Sequence, residues 1–236
     1  MFGAIQFLNG LSQGLSLFLV AAGLSIIFGV LRVINFAHGA FYMLGGYVAY
    51  EIIQRIGIDG GKFWLAVAAG GIVLAIVAAA IERFMLRELY KRDQIYQLLF
   101  TFALVLLIGD IVRIFWGTTA LSISFPPELR GAQDLGFTFY PKYRLFLCIV
   151  GVVAAFALWF LFQRTRWGRV IRAATQDREM LSSLGVNVPL VYLLVFTGGA
   201  ALAGISGALA APALALKSGM DADIIGHTKD HEKVKI

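Results

Sequence analysis

Six runs of apolar residues, at 7–31, 39–53, 63–81, 98–116, 145–162 and 188–216, constrain this chain more than any other feature. A helix that crosses a hydrocarbon core of about 30 Å needs about 20 mainly apolar residues. The runs are continuous rather than amphipathic, so they read as spans and not as one-sided core helices. Composition agrees. Of 236 residues, 59% are hydrophobic and 14% charged, against about 45–50% and 25% in soluble domains. The expected fold is an all-α integral membrane protein. It is a polytopic helical bundle of about six transmembrane helices, with a membrane domain over 1–216 and a polar tail over 217–236. The second run is short for a crossing. The last is long, with Pro189 near its start and Pro212 near its end.

The first run does not read as a cleavable signal peptide. No Lys or Arg precedes it, its apolar region is too long, and no convincing small-residue cleavage site follows. Cys148 is the only cysteine, which excludes an intrachain disulfide and a cysteine metal site. The net charge of +6 sits in short loops between apolar runs, a distribution that argues against nucleic acid as a partner. Residues 82–93 carry Arg83, Arg87, Lys91 and Arg92, and residues 163–179 carry Arg164, Arg166, Arg169, Arg172 and Arg178. Short basic loops stay on the cytoplasmic side. Both segments are therefore expected inside, with the N-terminus outside, Arg32 inside and the Pro- and Gly-containing loop 117–144 outside.

The stretch FGVLRVINFAHGAF, residues 28–41, places Arg32, Asn35 and His38 at near-helical spacing within apolar sequence. Two structures fit it. One is a plain cytoplasmic turn, although that turn would hold the apolar Val33, Ile34, Phe36 and Ala37. The other is a broken or re-entrant segment buried in the bundle. Non-helical backbone is tolerated at membrane depth only where protein or a water-filled cavity satisfies it. In that case Asn35 supplies hydrogen bonds to freed backbone groups and Gly39 supplies unusual φ values.

A second segment, GRVIRAATQDREMLSSLGVNV (168–188), reads as two short amphipathic helices on the cytoplasmic side. Val170, Ile171 and Ala174 share one side of the first. Asp177 is placed to cap a second helix through Met180, Leu181 and Leu184, and Gly185 suits its C′ position. Gly168 brings the backbone close to a partner or releases it from the preceding helix. Charge alone fits a solvated, topology-fixing loop. Exposure of Met180, Leu181 and Leu184 fits a knob that docks another protein.

Both segments carry a family resemblance. Residues 23–50, through Gly29, Arg32, Asn35, Phe36, His38, Gly39 and the Met43–Leu44–Gly45 run, resemble the N-terminal region of permease subunits from bacterial branched-chain amino-acid ABC importers. Residues 168–188 are similar to that family's ATPase-docking loop. The resemblance covers about residues 5–216. It implies an inner-membrane permease that works by alternating access. It places Arg32, Asn35, Phe36, His38 and Gly39 in a broken segment near the translocation path. It gives Gly168, Arg169, Arg172, Ala173, Asp177, Met180, Leu184 and Gly185 to ATPase docking. The implied partners are a homologous second permease, two cytoplasmic ATPases, an extracytoplasmic solute-binding protein and the lipid bilayer. Family members continue with more membrane helices, so the tail at 217–236 is expected to be divergent or truncated. Urea and short amides are alternative solutes for permeases of this type, and a non-transporting membrane scaffold is an alternative role.

No cofactor is expected on this chain. ATP and Mg are assigned to the partner ATPases, because the nearest string to a phosphate-binding loop, GIDGGKF (57–63), lacks a first glycine at the right spacing and ends in Phe63. No His, Cys or carboxylate cluster has metal-ligand spacing, so no metal site is expected. Catalysis has no better footing. Of the three histidines, His227 and His231 lie in the tail, and an intramembrane enzyme would have to use His38 or Asp110. Asp110 and Arg113, at i and i+3, are expected to form an intramembrane ion pair, with a solute contact as the alternative. Gly199, Ala203, Gly207 and Ala211 repeat every four residues and are expected to form a close helix-packing face.

Overall fold

The computed structural model describes residues 2–59, 61–134, 136, 139–214 and 216. Six long helices make the bundle: α1 (Phe2–Leu31), α2 (Ala37–Ile56), α3 (Lys62–Ile81), α5 (Gln94–Trp116), α6 (Lys142–Arg164) and α9 (Val188–Ala210). A π-helical turn, Glu82–Leu86, and the short α4 (Arg87–Leu89) continue α3. Two short helices, α7 (Arg166–Gln176) and α8 (Arg178–Ser183), join α6 to α9. The loop after α5 holds a 3₁₀ turn, Pro127–Leu129, and a small antiparallel ribbon. Strands β1 (Ala132–Asp134) and β2 (Phe139–Pro141) pair Gln133 with Tyr140. The tail at 217–236, with His227 and His231, lies outside the described residues.

Five helical stretches are long and apolar enough to cross a membrane: Ile5–Leu31, Lys62–Leu89, Gln94–Trp116, Lys142–Arg164 and Val188–Ala210. The sixth long helix, α2, spans 20 residues, longer than its apolar run. It carries His38, Tyr42, Tyr47, Glu51 and Arg55, and most of its length is buried. A helix wrapped by other helices has little lipid-facing surface, so it does not need the uniform apolarity of the other five. The sequence run 188–216 overshoots: α9 ends at Ala210, and Ala211–Ala213 form a turn that contains Pro212.

The central helix is α9, which packs most extensively on α3, α2 and α1, while α5 lies along α2 and α6 along α1. The hydrophobic effect does not drive such packing in lipid, so close van der Waals contact must. Small residues provide it. A Cβ on Gly204 would sit 2.8 Å from the Gly70 carbonyl oxygen and 2.9 Å from the Leu74 Cβ. A Cβ on Gly45 would collide with the Gly204 backbone. Three helices therefore meet at glycines, with no room for a side chain on Gly45 or Gly204 and little on Gly70.

The two ends of the bundle differ in character. At one end, Tyr143 donates to the Leu209 carbonyl at 2.6 Å and Tyr47 packs against Trp116 at a tilt of 47°, with ring centroids 5.3 Å apart. The basic segments gather at the other. Tyr90 packs edge-on against Tyr192 of α9 with centroids 5.3 Å apart, and Tyr192 in turn shares a cavity wall with Arg32 and Asp177.

Candidate translocation path and docking corner

The break between α1 and α2 is non-helical and partly buried, with Val33 and Asn35 turned inward and Arg32 and Ile34 exposed. The backbone of Arg32 closes α1 by donating to the Phe28 carbonyl at 2.9 Å, then turns at φ +56°. Among the described residues Arg32 is the one non-glycine residue with positive φ, a geometry that costs an L-residue about 1–2 kcal/mol. Val33 and Asn35 are each 2% exposed. His38, in the first turn of α2, lies against the middle of α1, where its Nε2–H donates to the Val20 carbonyl at 2.9 Å. Val20 lies eleven residues before Leu31, or about 16 Å along a helix axis at 1.5 Å per residue. Residues 32–36 thus climb back into the bundle, and α2 starts well inside it.

Side chains of α5 satisfy part of the freed backbone. Thr101 Oγ1 donates to the Ile34 carbonyl at 3.3 Å and Gln94 Nε2 to the Arg32 carbonyl at 3.4 Å. This corrects the role expected of Asn35. Its side chain caps nothing, and both its Oδ1 and its Nδ2 are buried without a partner among the described residues, as is Nδ1 of His38. Gly39 is corrected too. It lies within α2 with ordinary φ, and the unusual backbone geometry falls on Arg32. Phe36 is half-buried at the N-cap of α2.

Residues 165–185 form a corner beneath this break. Thr165 caps α7, its Oγ1 accepting from the Gly168 N–H at 3.1 Å. A Cβ on Gly168 would collide with the carbonyl oxygens of Leu161 and Phe162. Gly168 is therefore buried in the fold between α6 and α7, where its missing side chain lets α7 turn back on the end of α6. Arg172 Nη1 donates to the Phe162 carbonyl and fastens the same corner. Asp177 Oδ1 accepts from the N–H groups of Glu179 and Met180, both at 2.9 Å, and so caps α8. At its other end Gly185 takes φ +82°, and the Val186 N–H reaches the Leu181 carbonyl at 3.3 Å. The expected exposed trio is reduced to two. Leu181 is buried with Ala174 in the core, whereas Met180 and Leu184 are 53% and 71% exposed. Arg169 is exposed, Ala173 is half-buried, and Trp167, absent from the expected set, is 52% exposed. Its signal was an aromatic residue in the middle of a basic loop.

Break and corner touch. The Arg32 guanidinium donates through Nη2 to the Thr175 carbonyl of α7 at 3.3 Å. A cavity of about 160 Å³ lies between them, with Val30 and Arg32 on one side and Ala174 and Asp177 on the other. The remaining candidates lie elsewhere. Asp110 Oδ1 and Arg113 Nη1 are 3.5 Å apart on α5, and both side chains are more than half exposed. Gly199 packs against Ile27 of α1, Gly207 against the Tyr42 backbone of α2, and Ala203 is fully buried. Ala211 is buried but falls just past the end of α9. Among the described residues, no three His, Cys, Asp or Glu side chains come together as a metal site.

A helical bundle with five stretches long and apolar enough to cross a membrane, a partly buried break between its first two long helices and a basic corner at one end defines a polytopic α-helical membrane protein. The chain belongs to the family described as the branched-chain amino acid transport system / permease component, whose pattern matches residues 6–225. It is similar to the high-affinity branched-chain amino acid transport system permease protein LivH of Escherichia coli K12, with 32% identity over 216 residues, covering 86% of this chain and 69% of that protein. It is also similar to BraD of Pseudomonas aeruginosa, a permease of the same description, with 28% identity and the same coverage of each chain. A putative glucose ABC transporter permease of Haloferax volcanii is 27% identical over 179 residues, which cover 70% of this chain and 49% of that one. No solved structure matches the chain.

Proposed function

We propose that this chain is the membrane-spanning subunit of an ATP-driven importer for branched-chain amino acids in a bacterial inner membrane, with its N-terminus outside. Residues 1–216 act as the transmembrane domain and line half of a translocation path, beside a second, homologous permease. Two cytoplasmic ATPases hold ATP and Mg, and one of them grips α7 and α8. A solute-binding protein delivers the amino acid from the far side. Two relatives whose names specify branched-chain amino acids support the choice of solute.

The observation that carries the reading is the hydrogen bond from Arg32 to the Thr175 carbonyl. It ties the corner that an ATPase would grip to the break between α1 and α2. The exposed Met180 and Leu184 give a partner an apolar hold, and the cap at Asp177 keeps α8 rigid under load. When the ATPases close, α7 pulls on Arg32 and the 32–36 segment changes its tilt. Asn35 and His38, with three unpartnered polar atoms between them, then face the path, since buried polar groups left unpaired call for water or a ligand. Phe36 and Gly39 flank them.

The test is co-purification with the ATPases encoded by neighbouring genes, followed by ATP hydrolysis in liposomes. Hydrolysis is expected to rise several-fold with a binding protein loaded with leucine, isoleucine or valine. Stimulation by urea or a short amide instead would change the solute. Stable assembly without any stimulation would leave a scaffold as the better description.

A further inference from the structure

A second cleft at the basic end of the bundle has no part in the proposed transport cycle. It encloses about 500 Å³, within the range of about 300–1,000 Å³ typical of ligand pockets. One wall carries Arg83 from the π-helical turn, Arg87 from the short helix and Lys91 from the turn that follows it, all three lining the cleft. The facing wall is apolar, made of Val188, Pro189 and the Tyr192 ring. At the rim, Phe84 is 76% exposed, and Met85 beside it is 47% exposed.

The charges are only partly balanced. Glu88 lies 3.7 Å from Lys91, with both side chains about three-quarters exposed. Glu82 is buried behind the wall, within electrostatic reach of Arg83 and Arg87. Among the described residues, neither arginine makes an ion pair or hydrogen bond. These cations stand at the end of a membrane span, on the π-helical turn and the short helix that follow α3. A π-turn in a membrane helix often marks a functional position.

We propose that this cleft binds the headgroup of an anionic phospholipid from the leaflet at the basic end, with the phosphate between Arg83 and Arg87 and an acyl chain over Phe84. Charge and place select this occupant. A phosphodiester matches two adjacent guanidinium forks, and the exposed Phe84 and Met85 continue the lipid-facing surface of α3. A soluble anion has no use for that apolar rim.

The test uses the purified full chain in detergent, delipidated and then given phosphatidylglycerol, phosphatidylcholine or excess inorganic phosphate. Retained lipid is read by native mass spectrometry. Phosphatidylglycerol is expected to be retained at least about tenfold more than phosphatidylcholine, and inorganic phosphate should not displace it. The double variant Arg83→Gln/Arg87→Gln should lose most or all of that preference, since each juxtamembrane cation favours an anionic lipid by roughly fivefold. Arg83→Lys/Arg87→Lys, which keeps the charge and guards against misfolding, should retain most of it. Equal retention of the two lipids in the wild type would overturn the proposal, as would an undiminished preference in the glutamine variant. Displacement by inorganic phosphate would make this a general anion site and also overturn it. So would a glutamine variant that binds lipid normally but loses a co-expressed ATPase.

Discussion

Arg32 does two jobs that a sequence reader would give to different residues. Its backbone takes the left-handed turn that ends α1, and its side chain reaches across to α7. These jobs can be separated by substitution. Arg32→Gly relieves the positive-φ cost of about 1–2 kcal/mol, while a more flexible unfolded chain offsets part of that gain. Thermal unfolding in detergent should therefore differ from wild type by no more than about 1 kcal/mol. The guanidinium–carbonyl bond is exposed and 3.3 Å long, at the weak end of the net contribution of about 0.5–1.5 kcal/mol of a hydrogen bond, so its loss stays within that limit while it cuts the link to α7. Solute-stimulated ATP hydrolysis by the assembled complex should then fall by about tenfold or more. A variant that is equally stable and fully stimulated would remove Arg32 from the transmission.

Among elements, α9 holds the fold together, and its glycines are where a small change does most damage. Gly204→Val places new carbon atoms against the Gly70 carbonyl and the Leu74 side chain. Overpacking of this kind costs about 1–3 kcal/mol, so the unfolding midpoint in detergent should fall by several degrees, and α3 should separate from α9 first under hydrogen exchange. The same glycine marks a boundary of what sequence could tell. The four-residue repeat of Gly199, Ala203 and Gly207 was legible because i+4 residues share a face. Gly204 was not, because its partners, Gly45 and Gly70, come from two other helices. The cap at Asp177 and the left-handed turn at Gly185 were legible because both are set by residues next to them in the chain. Leu181 was misplaced because an amphipathic helix of one and a half turns does not say which face meets the core. Asn35 was misassigned for a related reason. The groups that satisfy the break, Thr101 and Gln94, lie more than sixty residues away.

For the molecule as a whole, the account joins three levels. Long apolar runs give the spans. Glycine contacts around α9 bring α1, α2 and α3 together and bury the less apolar α2. The start of α2 inside the bundle brings Asn35 and His38 into its interior, close to the corner that Arg32 joins. The proposal that this corner faces the cytoplasm and is held by an ATPase underlies everything said about transport. It is tested most directly by side-specific labelling of Leu184→Cys in a Cys148→Ser background, in membrane vesicles of both orientations. The account predicts reaction with an impermeant thiol reagent in inside-out vesicles only, strongly suppressed when the ATPases are co-expressed. Reaction in right-side-out vesicles, or labelling indifferent to the ATPases, would contradict it.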